Sequence, residues 1–215
     1  MISPENQKYI LQTTKNLINE CLLESGFDPT VKEPGHSYGE KVEEILAEKL
    51  CQKDSKFSMP VKIKGKGKQT RQMGDLIWEN NNLINIKLGY EKGDGQPNMV
   101  SFDRLLKKYS TGEIDSYYIL MINVSEKIKN NLTTNFYFFN LYDYLDYVNY
   151  NYGTGQVMLK EKQFFSDYDS NKYFNNSKKD IMRQLKEIDE IAFQSHLQLK
   201  QKQHQSRQEI FNEYC

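Results

Sequence analysis

The stretch SYYILMINV, residues 116–124, limits the possible folds of this chain more than any other. It is apolar or aromatic at almost every position and is bounded by polar turns, so it reads as a β-strand buried on both faces. Such a strand lies inside a sheet, parallel to a neighbour, and needs a layer of structure over each face. The termini offer helices for those layers. SPENQKYILQTTKNLINECLLESG opens on Ser-Pro-Glu, repeats apolar residues at helical spacing (Ile10, Leu11, Leu17, Ile18, Leu22) and stops at Gly26, which predicts a helix over 4–25. After the turn-rich FDPTVKEPGHSYG, Ser37 or Gly39 opens a second helix. Its Val42, Ile45, Leu46 and Leu50 form one stripe, and Glu43 lies beside it. A long helix over about 177–213 closes the chain, carrying Ile181, Leu185, Ile188 and Ile191 or Ala192 before a run rich in Gln and Lys.

Between these lie FSMPVKIKGKGKQTRQM, read as a basic loop or exposed hairpin, and GDLIWENNNLINIKLG, read as a β-hairpin. The Gly-rich loop GYEKGDGQPN and the amphipathic segment MVSFDRLLKKYS follow. After the buried strand, NFYFFNLYDYLDYV reads as a strand running into a short helix, and YNYGTGQVMLK as a loop leading to one more short strand. The order α-α-β-β-α-β-β-α without internal repeats predicts a mixed α/β fold, with a central sheet flanked by helices.

A hydrophobic content of 38% over 215 residues suits one core, so residues 1–215 are expected to form a single domain. The 29 basic residues balance 29 acidic ones, so any argument for a nucleic-acid partner must rest on local clusters. No apolar run approaches the roughly 20 residues that cross a bilayer, and the N-terminus lacks the basic-then-apolar order of a secretion signal. A soluble, cytoplasmic protein without a membrane partner is the expectation. Cys21, Cys51 and Cys215 are odd in number and widely spaced, which argues against a disulfide framework and a zinc cluster. His36 suits a cap or turn, and His196 and His204 a solvated helix face.

The hairpin carries the chemistry. Strand residues alternate faces, so Ile84, Ile86 and Leu88 point one way and Asn85 and Lys87 the other. If Asn80, Asn81 and Asn82 form the loop, antiparallel pairing puts Glu79 opposite Leu83, Ile77 opposite Asn85 and Asp75 opposite Lys87. Asp75 and Lys87 then share a face. An acid able to hold a divalent cation, a lysine able to orient water and a glutamate on a nearby helix are what phosphodiester hydrolysis requires.

Asp75 with Asn85-Ile86-Lys87 resembles the motif of type II restriction endonucleases in the PD-(D/E)xK nuclease superfamily. The upstream GHSYGEKVEEIL is similar to the first core helix of some of these enzymes, where a glutamate reaches the metal site through water. The resemblance covers about residues 35–125. It implies a restriction-endonuclease-like core, Mg²⁺ as cofactor, double-stranded DNA as substrate and a homodimer. It also implies Asp75, the backbone carbonyl of Ile86 and, through water, Glu43 around the metal, with Glu40 as second choice to Glu43. Lys87 would activate the attacking water. Asn85 stands where the family's commoner pattern has a carboxylate; an amide carries no charge toward a cation, which fits a site with one strongly bound metal in which Asn85 orients a ligand water. Two other readings stay open: a nuclease directed at branched or damaged DNA, and a non-catalytic DNA-binding protein on the same scaffold.

Candidate DNA contacts flank the motif. Lys62, Lys64, Lys66, Lys68 and Arg71 fall within ten residues, as phosphate-binding cations would. Gln96, Asn98 and Ser101 after the lysine, and Gln156 near Tyr150 and Tyr152, are residue types that read base edges or accompany them.

Overall fold

The computed structural model describes residues 1–26, 36–60, 74–79, 82–90, 98–128, 131–169, 174 and 176–214. Among the described residues, five helices and eight strands follow in the order α1 (Pro4–Ser25), α2 (His36–Lys53), β1 (Phe57–Ser58), β2 (Leu76–Trp78), β3 (Asn82–Tyr90), β4 (Asn98–Ser101), α3 (Phe102–Thr111), β5 (Tyr117–Ile128), β6 (Asn131–Asn140), β7 (Val148–Asn151), β8 (Gln156–Leu159), α4 (Glu161–Asp167) and α5 (Lys178–Tyr214). Two short 3₁₀ turns, Leu141–Asp143 and Leu145–Tyr147, join β6 to β7. The fold is mixed α/β, as the element order predicts.

The main sheet has the order β1-β2-β3-β5-β6, antiparallel throughout except where β3 runs parallel to β5. The doubly buried strand is β5, which lies between β3 and β6. Tyr118, Leu120, Ile122 and Val124 face one core, while Tyr117, Ile119 and Met121 face another. The first core is closed by α1 and α2 through Ile10, Ile18, Leu22, Val42, Leu46 and Leu50. α1 begins where the sequence says: Ser3 Oγ accepts the Asn6 N–H at 3.3 Å, with Pro4 in the first turn. It ends at Gly26, which takes a φ of 73° that a side chain would resist.

The second core lies under α3, α4, the first half of α5 and a separate sheet of order β4-β8-β7. That sheet departs from expectation. The segment from Met99 to Ser110 is a strand followed by a helix, not one amphipathic helix. The NYGTG turn closes a true hairpin, with Asn151 opposite Gln156, where the sequence predicts only one short strand. Both strands are four residues long, so neither carries enough alternation to be legible alone. Helix α4 is a further addition to the predicted elements; its seven residues bury one side chain, Phe164.

No described helix is long and apolar enough to cross a membrane.

Candidate active site

The hairpin β2–β3 forms with a register different from the expected one. Leu76 pairs with Ile84, Ile77 with Leu83 and Trp78 with Asn82, so Asn82 belongs to the strand and Glu79 enters the connection at φ 45°. The displacement is two residues. Because faces alternate every residue, a two-residue displacement leaves Ile77 and Leu83 on the face of Asn85 and Lys87, where a one-residue slip would have moved Ile77 to the other. Asp75 lies one residue before β2, and its N–H donates at 2.8 Å to the carbonyl of Ile84, the residue with which Leu76 is paired.

Beyond that point two carboxylates take over as partners of β3. The Ile86 N–H donates to Asp75 Oδ2 at 2.7 Å, and the Leu88 N–H donates to Glu43 Oε1 at 3.0 Å. Alternate amides of a strand leave on one edge, so both bonds lie on the edge that β2 occupies farther back. The carbonyl of Ile86 leaves on that edge too. Glu43 Oε2 lies 3.5 Å from Lys87 Nζ, and both side chains are mostly covered, 15% and 22% exposed. Of the two glutamates considered on α2, Glu43 is the one that reaches β3; Glu40 is exposed.

Burial governs the electrostatics. It raises the Glu43 carboxyl from 4.5 to about 7, against the opposing pull of the Lys87 ammonium and the Leu88 amide, while the nearby Asp75 charge adds to the rise. Burial likewise raises Asp75 above the usual carboxylate range, with Lys87 and the Ile86 amide opposing. Two desolvated acids share one cation, a combination that favours uptake of further positive charge. The donors are all hard oxygens: two carboxylates and a strand carbonyl. That set suits Mg²⁺, which is held by one or two carboxylates while keeping several waters. Among the described residues no group of three or more His, Cys, Asp or Glu side chains converges, so any cation here would rest on this smaller set.

Asn85 is only 6% exposed, and its Nδ2 donates to the Met99 carbonyl on β4 at 2.6 Å. Nearby, the Tyr117 hydroxyl is fully buried and raised well above its ordinary value, chiefly by that burial and also by the Asp75 charge. Neither Met99 nor Tyr117 stands out in the sequence. Both are apolar-run residues whose role depends on which strand lies beside β3.

The expected DNA contacts divide. Lys62, Lys64, Lys66, Lys68, Arg71 and Gln96 lie outside the described residues. Asn98 opens β4, opposite Met158. Ser101 and Gln156 come directly opposite one another on β4 and β8, and both are half-buried. Ser101 precedes α3 without its hydroxyl making a capping bond. Tyr150 is stacked on Phe102 at 4.4 Å, and Tyr152, 40% exposed, leans on His196 and Phe193 of α5. The order from the carboxylates outward is thus β3, β4, β8, β7, α5. A comparison with known proteins finds no family model and no curated protein that matches the chain, so this geometry alone is the basis for a functional reading.

Proposed function

We propose that the protein is a Mg²⁺-dependent endonuclease that cuts double-stranded DNA at specific sequences, in the manner of type II restriction enzymes. The observation that supports this reading is the meeting of Asp75, Glu43 and Lys87 on one edge of β3. Asp75 and the Ile86 carbonyl would hold the cation, with Glu43 beside them, directly or through water. Mg²⁺, when bound, supplies Lewis acidity toward the phosphate and lowers the pKa of water.

The chain's own residues would do the rest. Lys87 orients the attacking water and faces the negative charge that develops on the phosphate as the new P–O bond forms and the bond to the leaving deoxyribose oxygen breaks. Glu43 holds the lysine in place through its Oε2 and anchors itself to Leu88 through its Oε1. Desolvation strengthens each of these interactions relative to water. Ser101 and Gln156 would read base edges from the neighbouring sheet, and the basic run 62–71 would bind phosphates. A homodimer would match a two-fold symmetric site, and a cytoplasmic location fits a DNA substrate.

The experiment is digestion of unmethylated phage DNA at low salt by the purified protein, with Mg²⁺ and separately with EDTA. Discrete fragments appearing only with Mg²⁺ support the proposal. Asp75→Ala and Lys87→Ala should each abolish cutting while DNA binding stays measurable. A smear, with preference for branched DNA, would indicate a structure-directed nuclease instead. Asp75 and Glu43 already bond to strand amides and thereby serve the fold without any metal, which is what the non-catalytic reading requires. Binding without cutting in Mg²⁺ or Mn²⁺ would favour that reading.

A further inference from the structure

We propose that Asn85 is a positioning residue, the joint that holds the recognition strand β4 against the catalytic strand β3, and not the remnant of a former metal ligand. The roles of the two strands rest on the function proposed above; the joint itself rests on geometry.

β4 pairs with β8 at Asn98–Met158, Val100–Val157 and Ser101–Gln156, with a register shift between Asn98 and Val100 that leaves Met99 as the extra residue. An extra residue of this kind has no ladder partner, and its buried carbonyl needs a donor from elsewhere. Met99 is 3% exposed, so water does not readily serve. Asn85 Nδ2 supplies the donor at 2.6 Å from across the gap between sheets. No ladder joins β3 to β4 among the described residues, since the two strands belong to different sheets. Asn85 itself is held in the main sheet, where it pairs with Ile119 of β5.

The residue type follows. An aspartate here would turn a carboxylate oxygen toward a carbonyl oxygen, and would add a third buried negative charge near Asp75 and Glu43. Leucine would leave the Met99 carbonyl unpaired. Asparagine alone of these donates to Met99 while remaining neutral. A bulge beside a reactive centre re-aims the residues that follow it. Here those are Val100 and Ser101, and Ser101 faces Gln156. Base reading by β4 and β8 is therefore set relative to Ile86 and Lys87 through one side-chain bond from Asn85, and loosening that bond should loosen the match between sequence and cutting.

The test uses the full chain with Asn85→Ala and Asn85→Asp. Amide hydrogen exchange at Val100 and Ser101 should speed by about tenfold in Asn85→Ala, as removal of roughly one buried hydrogen bond would give, while Ile119 to Ile122 of β5 keep wild-type rates. Unchanged exchange at Val100 and Ser101 would overturn the joint, whether or not the protein cuts DNA. Titration of Asn85→Asp with Mg²⁺ alone should show no gain in affinity; tighter Mg²⁺ binding with wild-type exchange would identify Asn85 as a vacated ligand position. On phage DNA with Mg²⁺, Asn85→Ala should add bands to the wild-type pattern, with kcat/KM falling at the wild-type sites more than at the added ones. A wild-type band pattern at wild-type rate would refute the coupling. If wild type leaves DNA intact in Mg²⁺ and Mn²⁺, the nuclease reading fails, and the exchange rates still decide the joint.

Discussion

Glu43 and Asp75 stand side by side as substitutes for a strand: from α2 and from the start of the hairpin, each accepts an amide of β3, Leu88 for the first and Ile86 for the second. Their separation is therefore set by the two-residue repeat of the strand between those amides. Secondary structure, through backbone bonds, holds two acids near one lysine despite the cost of burying them.

Asp75→Asn separates the backbone role from the charge. The amide oxygen can still accept the Ile86 N–H, so the unfolding free energy in urea should stay within about 1 kcal/mol of wild type. Mg²⁺-dependent cutting should fall roughly a hundredfold or more, because the charge that holds the cation is gone. Undiminished cutting by this variant would remove Asp75 from the mechanism.

Glu43 should make stability depend on pH. Its folded value of about 7 lies above the ordinary 4.5, so its contribution is fully present below about pH 4.5 and is lost as pH rises through about 7. Glu43→Gln is neutral at every pH and lacks this dependence. In EDTA, the stability of wild type relative to the variant should therefore fall between pH 4.5 and 8, by on the order of 3 kcal/mol at most. Urea unfolding across that range checks it, and a flat difference would contradict the burial of the charge.

Ser101 and Gln156 face each other across β4 and β8, and the Ser101 hydroxyl makes no capping bond to α3. Replacing both with Ala should weaken binding to cleavable sites by about 1–3 kcal/mol for each base edge that is no longer read. The slope of affinity against salt should not change, since phosphate binding is untouched. Fluorescence titration at several salt concentrations measures both quantities. A change in slope with discrimination intact would reassign the pair to the DNA backbone.

Helix α5 divides into an anchored and a projecting half. Its 37 residues span about 55 Å, yet its fully buried side chains are Ile181 and Leu185 near the start, while Ile191, Leu199 and Phe211 are 69%, 52% and 56% exposed. Leu185→Ala should cost about 2–5 kcal/mol. Ending the chain after Leu199 should cost less than about 1 kcal/mol for the isolated chain in thermal or urea unfolding. A loss as large as that of Leu185→Ala, growing with protein concentration, would mean that a second copy covers the projecting half.

Local periodicity and end signals determined much of this protein. They are short-range and survive in any context: the cap at Ser3, the stop at Gly26, the doubly apolar strand around Ile119, the period of α5 and the alternation that turns Ile84 and Ile86 into one core. Alternation survives a two-residue change of register, which is why Ile77 and Leu83 keep their face although the hairpin's pairing sits two residues away from the expected one. Only the tertiary structure decided the rest. Glu43 meets Leu88 across 45 positions of sequence and Asn85 meets Met99 across 14, and such bonds depend on which layers pack together. The bulge at Met99 and the four-residue strands β7 and β8 are similarly too short to leave a period in the sequence. A side chain's type records what it can bond; the packing of sheets and helices selects the partner it meets.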